Sequence, residues 1–289
     1  MHWIQLKIDT DKERAEPISD ALTELEALAV TLEDRADQPI FEPKHGTTPL
    51  WQEVCVVGLY DAETPIEPII TALEQQFGKL KWSADPLEDR DWVREWMDGF
   101  EPIRFGQRLW IVPSWRDAPD NNGVNLQLDP GLAFGTGTHP TTALCLEWLD
   151  AHAPEGLEVI DYGCGSGILG VAALKLGASR CVGVDTDPQA LQASQSNAEK
   201  NGVADQLTLY LPEQGNLRPA DLVLANILAN PLIGLADKLA ELTKPGGQIV
   251  LSGILAEQAQ QVSQAYAPYF DMQAPVQQED WIRLDGIRK

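Results

Sequence analysis

Three glycines stand within five residues at the end of an apolar, strand-like run. They are Gly163, Gly165 and Gly167 in EVIDYGCGSGILGVAALKLGA, residues 158–178. Glycine gives up side-chain packing and costs backbone entropy, so three of them at a strand-to-helix corner indicate that the main chain passes very close to another group. The spacing D-x-G-x-G-x-G is neither the dinucleotide fingerprint G-x-G-x-x-G nor a P-loop, whose lysine is missing here.

An acidic residue closes the next strand-like run, CVGVD, at Asp185. A carboxylate at the end of the second strand of a βαβ unit can accept hydrogen bonds from both hydroxyls of a ribose, as the acidic residue of dinucleotide sites does. A glycine loop after one strand and an acid at the end of the next therefore predict a ligand that contains a nucleoside. The alternative is a tight turn followed by a helix-capping aspartate.

The elements that must position these residues alternate between strand and helix from about residue 101 onward. This alternation predicts an α/β fold with a doubly wound, mostly parallel sheet and helices on both faces. Ligands of such sheets bind beyond the carboxyl ends of the strands, where the loop at 163–167 and Asp185 fall. Ahead of the first helix, IRFGQRLWIVPSW and NLQLDP are predicted as antiparallel strands, and PLIGLADKLAELTKPGG, residues 231–247, is predicted as one helix.

VIDYGCGSG followed by VGVDTDP resembles motifs I and II of the class I S-adenosylmethionine-dependent methyltransferases, whose fold is Rossmann-like. The resemblance implies S-adenosyl-L-methionine as the cofactor. It places Gly163 and its neighbours against the methionine moiety, Asp161 near the ligand's amino group, and Asp185 on the ribose. Cys164 lies inside the loop without a group that would stabilise its thiolate, so we interpret it as filling space.

A second unusual stretch is DPGLAFGTGTHPTT, residues 129–142. Thr141 or Thr142 could cap or line a helix N-terminus beside a ligand. The ring of Phe134 offers a face that could lie against a sulfonium cation. His139 titrates near neutrality and could serve as a general base, but a histidine before proline in a loop of glycine and threonine is more often structural.

A third stretch, ADLVLANILANPL, residues 220–232, places Asn226 at the carboxyl end of a strand. Its amide carbonyl can accept a hydrogen bond from an incoming amine and hold it in line with a transferable methyl group, so Asn226 is the predicted catalytic residue. Amino methyltransferases of nucleobases often carry N-P-P-Y or D-P-P-Y here. This chain reads N-I-L-A and lacks the aromatic ring that would stack a flipped base.

Together, LDPGLAFGTGTHPTT, VIDYGCGSGILGVAALKLGA and ANILANPL strongly resemble the PrmA family of bacterial ribosomal protein methyltransferases. The resemblance implies trimethylation of the α-amine and certain lysine ε-amines of a large-subunit ribosomal protein, the stalk-base protein L11. It also implies a small N-terminal domain that binds the substrate protein. The cofactor positions that it carries over are Thr142, Gly163, Asp185 and Asn226, with Phe134 as an addition.

The first 85 residues show a different order of predicted elements: strand, helix, strand, helix and a short strand, with room for another strand near residues 30–43. This order predicts a small α+β domain of ferredoxin-like type over residues 1–85, which we interpret as a substrate-recognition module. Residues 86–100 are predicted as a linker helix with Trp92 and Trp96 one turn apart. The methyltransferase domain then spans residues 101–289.

Acidic residues outnumber basic ones by 44 to 21, a formal charge of −23. Such a surface repels phosphate backbones and would attract a basic macromolecule, although on charge alone the alternative is that the acidity only maintains solubility. Taken together with the resemblance, it leads us to expect a basic ribosomal protein as partner and no specificity for nucleic acid. Residues 1–85 alone have 17 acidic and 7 basic residues.

Four scattered cysteines without paired spacing give no zinc pattern and fit a reducing cytoplasm. We expect no membrane segment, no signal peptide, no metal and a monomer.

The sequence thus predicts an S-adenosylmethionine-dependent protein N-methyltransferase. Its cofactor-binding residues are predicted to be Phe134, Thr142, Asp161, Gly163, Gly165, Gly167, Asp185 and Asn226. Two alternatives stay open: a methyltransferase of a small-molecule amine or of another protein, and a cofactor-binding assembly or regulatory protein. A separate acidic front domain argues against the small-molecule substrate, which hardly needs one.

Overall fold

The computed structural model of the protein describes residues 3–36, 38, 40, 48–87, 100–129, 139–215 and 217–289. The chain divides into two compact units, Met1–Asp98 and Gly99–Lys289. The predicted linker helix at 86–100 lies largely outside the described residues, because residues 88–99, which include Trp92 and Trp96, are not among them. Pro86 and Leu87 belong to the last strand of the first unit.

The first unit is an antiparallel sheet with helices packed on one face. It runs β1 (Trp3–Asp11), α1 (Lys12–Glu24), β2 (Ala29–Asp34), β3 (Glu53–Asp61), α2 (Ile66–Phe77) and β4 (Lys81–Leu87). The strand order is β2-β3-β1-β4. In β1 the alternating residues Leu6 and Ile8 are fully buried against Ile18 and Leu22 of α1 and Leu73 of α2. This order and topology confirm the predicted ferredoxin-like fold.

The second unit carries the large sheet. Its elements are β5 (Ile103–Phe105), β6 (Leu109–Val112), β7 (Val124–Gln127), α3 (Pro140–Ala151), β8 (Glu158–Tyr162), α4 (Ile168–Lys175), β9 (Arg180–Val184), α5 (Pro188–Lys200), β10 (Leu207–Tyr210), β11 (Ala220–Asn226), α6 (Ala229–Gly234), α7 (Ala236–Glu241), β12 (Thr243–Leu255), α8 (Ala259–Tyr266), β13 (Phe270–Met272), β14 (Val276–Gln278) and β15 (Trp281–Arg288). Short 3-10 turns lie at Ala204–Gln206 and Ala256–Gln258.

The strand order of the large sheet is β10-β9-β8-β11-β12-β15-β13, with β14 paired to β15. Strands β8 to β12 pair in parallel, whereas β15 is antiparallel to β12, β13 and β14. Helices cover both faces: Val159 of β8 belongs to one hydrophobic core and its neighbour Ile160 to the other, each 1% exposed. The predicted doubly wound α/β fold is confirmed, and the order reverses at β8.

The predicted antiparallel lead-in is half right. β5 and β6 are antiparallel, but β6 and β7 are parallel, with Leu109 opposite Val124. The segment between them, residues 113–123, is long enough to return the chain to the starting end, which a short hairpin loop would not do. The side chain of Asp150, at the end of α3, fixes the β5–β6 turn by accepting hydrogen bonds from the backbone N–H groups of Gln107 and Arg108.

The predicted helix over residues 231–247 is also different in the structure. It is divided into α6 and α7 at Leu235, whose φ of −99° and ψ of 3° leave the helical region. From Thr243 the chain already runs as β12. Pro245 in this segment has no backbone N–H, and Gly246 has a φ of +75°, so neither residue favours continuing a helix.

Candidate active site

Three functional segments meet at the carboxyl edge of the large sheet. The loop at 163–167 follows β8, Asp185 follows β9, and Asn226 ends β11; these strands are neighbours in the order β9-β8-β11. Leu224 pairs with Asp161, so Asn226 stands level with the start of the loop. Parallel strands bring their carboxyl ends to one edge, and the reversal of strand order at β8 opens a cleft there. The structure therefore brings these predicted segments together.

The glycines of the loop are required by contacts within the protein. Gly163 has a φ of +81°, and a side chain there would overlap Cγ2 of Ile227 on the chain after β11. Gly167 has a φ of +77°, and a Cβ there would lie 2.7 Å from Oγ of Ser194 on α5. Gly165 also has a positive φ, of 54°. At 163 and 167, the group that the main chain closely approaches is thus another part of the same chain.

Hydrogen bonds hold the loop at both ends. The N–H groups of Gly163 and Cys164 both donate to the carbonyl oxygen of Val184, at 2.7 and 3.0 Å. On the other side, Ser194 Oγ donates to the carbonyl oxygen of Gly165 at 2.9 Å, and Asn197 Nδ2 donates to that of Ser166 at 2.8 Å. Hydrogen bonds within the protein therefore fix the loop against β9 and α5.

Ser194 and Asn197 are site residues that the sequence reasoning missed. They lie three residues apart on α5, are 0% and 9% exposed, and are the polar members of the buried face of that helix. Polar side chains at helical spacing among buried positions would have been the signal, because a buried polar group needs a partner. Their partners are the carbonyl oxygens of the glycine loop.

Asp185 lies half-buried at the carboxyl end of β9. Its Oδ2 accepts from the N–H of Gly165 at 2.8 Å and its Oδ1 from the N–H of Asp187 at 3.0 Å. An ionised carboxylate has about four acceptor positions, so each oxygen keeps the capacity for one more donor. This arrangement fits the two hydroxyls of a ribose and holds the carboxylate beside the loop.

Asp161 is buried beneath the loop rather than set into the cleft. It is 1% exposed, and its Oδ2 accepts from the N–H of Gly170 in the first turn of α4 at 2.9 Å. Burial, together with the nearby charge of Asp185, raises the pKa of Asp161 from 3.8 to about 7, against the lowering effect of the Gly170 hydrogen bond. Its described contacts join β8 to α4, and a contact with a ligand's amino group stays a prediction.

Asn226 is oriented by Thr142 of α3. Nδ2 of the half-buried Asn226 donates to Oγ1 of the fully buried Thr142 at 3.3 Å. With the amide nitrogen on Thr142, the amide oxygen is the atom that can accept from a ligand or substrate. Thr142 and Asn226, which were predicted separately as site residues, are thus hydrogen-bonded to each other, and their roles toward a cofactor remain predictions.

His139 caps helix α3 in this structure. The N–H of Thr141 donates to its Nδ1 at 3.3 Å, and the same nitrogen lies 2.8 Å from Thr141 Oγ1. Its ring packs edge-on against Trp281 with centroids 4.9 Å apart. Burial lowers the pKa of His139 below 6.5, with an opposing effect of Glu279. These contacts favour the structural interpretation of His139 over a role as general base.

The remaining predicted features divide between the described and the undescribed parts. Phe134 and the glycine–threonine stretch 130–138 lie outside the described residues. Cys164 is 6% exposed, and burial raises the pKa of its thiol to about 12, so it is neutral. All four cysteines are free and buried. Among the described residues, no helix is long and apolar enough to cross a bilayer, and no His, Cys, Asp or Glu group could hold a metal ion.

The family model and the named relatives identify the family to which the chain is similar. The sequence model of the family described as ribosomal protein L11 methyltransferase (PrmA) matches residues 2–289. A protein of Marinobacter nauticus with the same name is 59% identical, covering 100% of this chain and 99% of that protein. One of Shewanella woodyi is 56% identical, with both chains fully covered. The crystal structure of a ribosomal protein L11 methylase from Lactobacillus delbrueckii is 34% identical and covers 66% of this chain and 100% of that one, with a TM-score of 0.59.

Proposed function

Since the chain belongs to the PrmA family of ribosomal protein L11 methyltransferases, we propose that it transfers methyl groups from S-adenosylmethionine to the α-amine and lysine ε-amines of L11. The observation that carries this proposal is the convergence at one sheet edge. The glycine loop, the carboxylate of Asp185 and the amide of Asn226 meet where a nucleoside cofactor and an amine would have to meet.

The residues present fit such a cofactor. Asp185 would hold the ribose hydroxyls, the backbone of the loop at 163–167 would lie along the methionine part, and Thr142 and Asn226 would stand at the transferable methyl group. Asp161, which accepts a hydrogen bond from the N–H of Gly170, would lie near the ligand's amino group. When bound, S-adenosylmethionine supplies an electrophilic methyl group on a positively charged sulfur.

The protein's own part in the reaction is to position a neutral amine. An α-amine, with a pKa of roughly 8, is partly neutral near pH 7, whereas a lysine amine at roughly 10.4 must lose its proton. Exclusion of water favours the neutral form. The amide oxygen of Asn226 would accept an N–H of the amine and direct its lone pair at the methyl group. In-line positioning of this kind can supply up to ~7–11 kcal/mol of the barrier reduction.

The net charge of the chain supports a basic protein as the partner. A net charge of −23 favours a basic partner such as a ribosomal protein and speeds its encounter with the enzyme. We assign recognition of L11 to the ferredoxin-like unit of residues 1–85, a linking role to 86–100 and catalysis to 101–289. We further propose that the protein acts as a cytoplasmic monomer and does not recognise nucleic acid directly.

Incubation of the purified protein with isotope-labelled S-adenosylmethionine and recombinant L11 tests the proposal. Intact-mass and peptide analysis should show whole methyl groups added at the N-terminal α-amine and at lysines. If the protein binds the cofactor but L11 does not become labelled, a regulatory or assembly protein is favoured instead. Labelling of small amines with L11 left unmodified would favour a small-molecule methyltransferase.

Asn226→Ala tests the role given to the amide of Asn226. Because its amide is placed to act on the amine, the substitution should lower kcat about 100-fold, the order expected when a group that positions a reactant is lost. The Kd for S-adenosylmethionine, measured by calorimetry, should change much less. An unchanged kcat would contradict the role given to Asn226.

A further inference from the structure

We propose that Ile227 is a positioning residue of the transfer reaction and that its Cγ2 methyl fixes the spacing between the cofactor loop and Asn226. The proposal rests on the proposed function, because it concerns the same two groups. Neither the glycine motif nor the catalytic-residue prediction includes Ile227. Its role follows from the contacts that it makes on both sides.

On one side, Ile227 contacts the cofactor loop. A Cβ built on Gly163 would overlap Cγ2 of Ile227 and would lie 3.7 Å from its Cβ. The Cγ2 methyl therefore occupies the space where the side chain of residue 163 would be. Gly163 has a φ of +81°, and its N–H is held by Val184, so this part of the loop cannot easily move away.

On the other side, the backbone of Ile227 contacts β12. A Cβ on Gly253 would meet the carbonyl oxygen of Ile227, its carbonyl carbon at 2.7 Å and its nitrogen at 3.2 Å. Gly253 also has a positive φ, of 83°. Asn226 pairs with Ser252, the residue before Gly253, so the two strands bring these backbones together in register.

The half-buried Ile227 thus lies between Gly163 of the loop after β8 and Gly253 of β12. Contact with Gly253 of β12 fixes the position of its backbone, and its side chain in turn fixes the position of the loop after β8. Asn226 is covalently next to it, so the distance from the amide of Asn226 to the loop depends on the shape of Ile227. In the proposed reaction this is the distance between the group that holds the amine and the surface that holds the methyl donor.

The contact identifies one atom, and conservative substitutions can isolate it. Valine keeps two carbons on Cβ, including the one equivalent to Cγ2, and loses only the terminal methyl. Leucine keeps the volume of isoleucine but has a single carbon on Cβ. A positioning role therefore predicts that Ile227→Val works better than Ile227→Leu, whereas a role in packing alone would favour the substitution that conserves volume.

Steady-state kinetics with L11 provide the first test. Ile227→Leu should lower kcat about 10- to 100-fold, with the KM for L11 within about two-fold, because a misplacement near 1 Å can cost about 100-fold. Ile227→Val should stay within about three-fold of the native kcat. The controls are Ile249→Val and Ile249→Leu in β12, where Ile249 is 0% exposed, more deeply buried than Ile227, and pairs with Val223 three residues before the Asn226–Ser252 pair. Melting temperatures of all four variants would show whether activity follows stability.

A second test uses ligand affinity alone. Gly163→Ala should weaken binding of S-adenosylhomocysteine, measured by calorimetry, because the new methyl group meets Ile227. In the Ile227→Ala background the same substitution should weaken binding several-fold less, since the strain of a positive φ is present in both backgrounds and only the clash is removed. Purely additive effects would contradict the contact.

Equal kcat values for the valine and leucine variants, or losses of kcat that follow melting temperature as at Ile249, would overturn the positioning role. A native protein that binds the ligand but leaves L11 unmodified would instead refute the proposed function. The two failures are therefore distinguishable.

Discussion

The buried carboxyl group of Asp161 should make the stability of the protein depend on pH. Its pKa rises from 3.8 to about 7 because it is desolvated beneath the glycine loop, close to Asp185. Between those two pH values the folded protein keeps a proton that the unfolded chain has lost. Stability should therefore fall as the pH rises through this window and level off above about pH 7.

The size of the effect follows from the shift. A change of about 3 pH units corresponds to about 4 kcal/mol at about 1.4 kcal/mol per unit. From pH 5 to pH 7 the loss should be about 2–3 kcal/mol, equivalent to a fall in Tm of about 5–10 °C for a unit of this size. The asparagine of Asp161→Asn is neutral at every pH and can still accept a hydrogen bond from the N–H of Gly170. The pH-dependent contribution of residue 161 to the free energy of unfolding should therefore disappear in this variant.

The assay is urea unfolding of the native protein and of Asp161→Asn at several pH values from 5 to 8. The difference in unfolding free energy between the two proteins cancels every other titrating group and should change in favour of the asparagine variant as pH rises. Asp205→Asn, an exposed aspartate in the same unit, changes the net charge equally and should show no such trend. A difference for Asp161→Asn that is constant from pH 5 to 8 would refute the reasoning.

Two further substitutions test the edge of the sheet. Asp185→Ala should weaken cofactor binding about 10- to 100-fold in calorimetry, the effect of losing hydrogen bonds to a charged group, whereas Asp187→Ala should leave the affinity nearly unchanged; equal effects would contradict the ribose assignment. Gly253→Ala should lower the free energy of unfolding in urea by about 3 kcal/mol or more, because it combines a positive φ with a clash against the Ile227 carbonyl group. Gly234→Ala, in α6 with open space around it, should be neutral or slightly stabilising, and a similar cost at both glycines would argue against the clash.

The sequence predicted the fold where its patterns are local. Apolar runs in VIDY and ADLVLAN indicate strands buried on both faces, and amphipathic runs such as DPQALQASQSNAEK indicate the helices between them. Pairing of strands is not local. The parallel β6–β7 pair, the division of the predicted helix at Leu235 and the short strands β13 and β14 depend on where distant segments pack, so sequence spacing did not predict them.

The candidate site shows the same division. Loop 163–167, Asp185 and Asn226 could be located from the sequence because each ends a strand, and parallel strands end at one edge. The sequence also showed that the glycines at 163 and 167 must lie close to something. It did not show what that is, because Ile227 and Ser194 reach them only through packing between separate elements.

The sequence by itself therefore determined the alternation of the main strands and helices, the family and the residues at the sheet edge, since these depend on motifs and on periods of two and 3.6 residues. Only the tertiary structure decided that Asp161 lies beneath the loop with a raised pKa, and that Ile227 lies between two glycines. Burial and close contact between side chains are set by residues far apart in the chain, and local patterns of sequence do not specify which of those side chains touch.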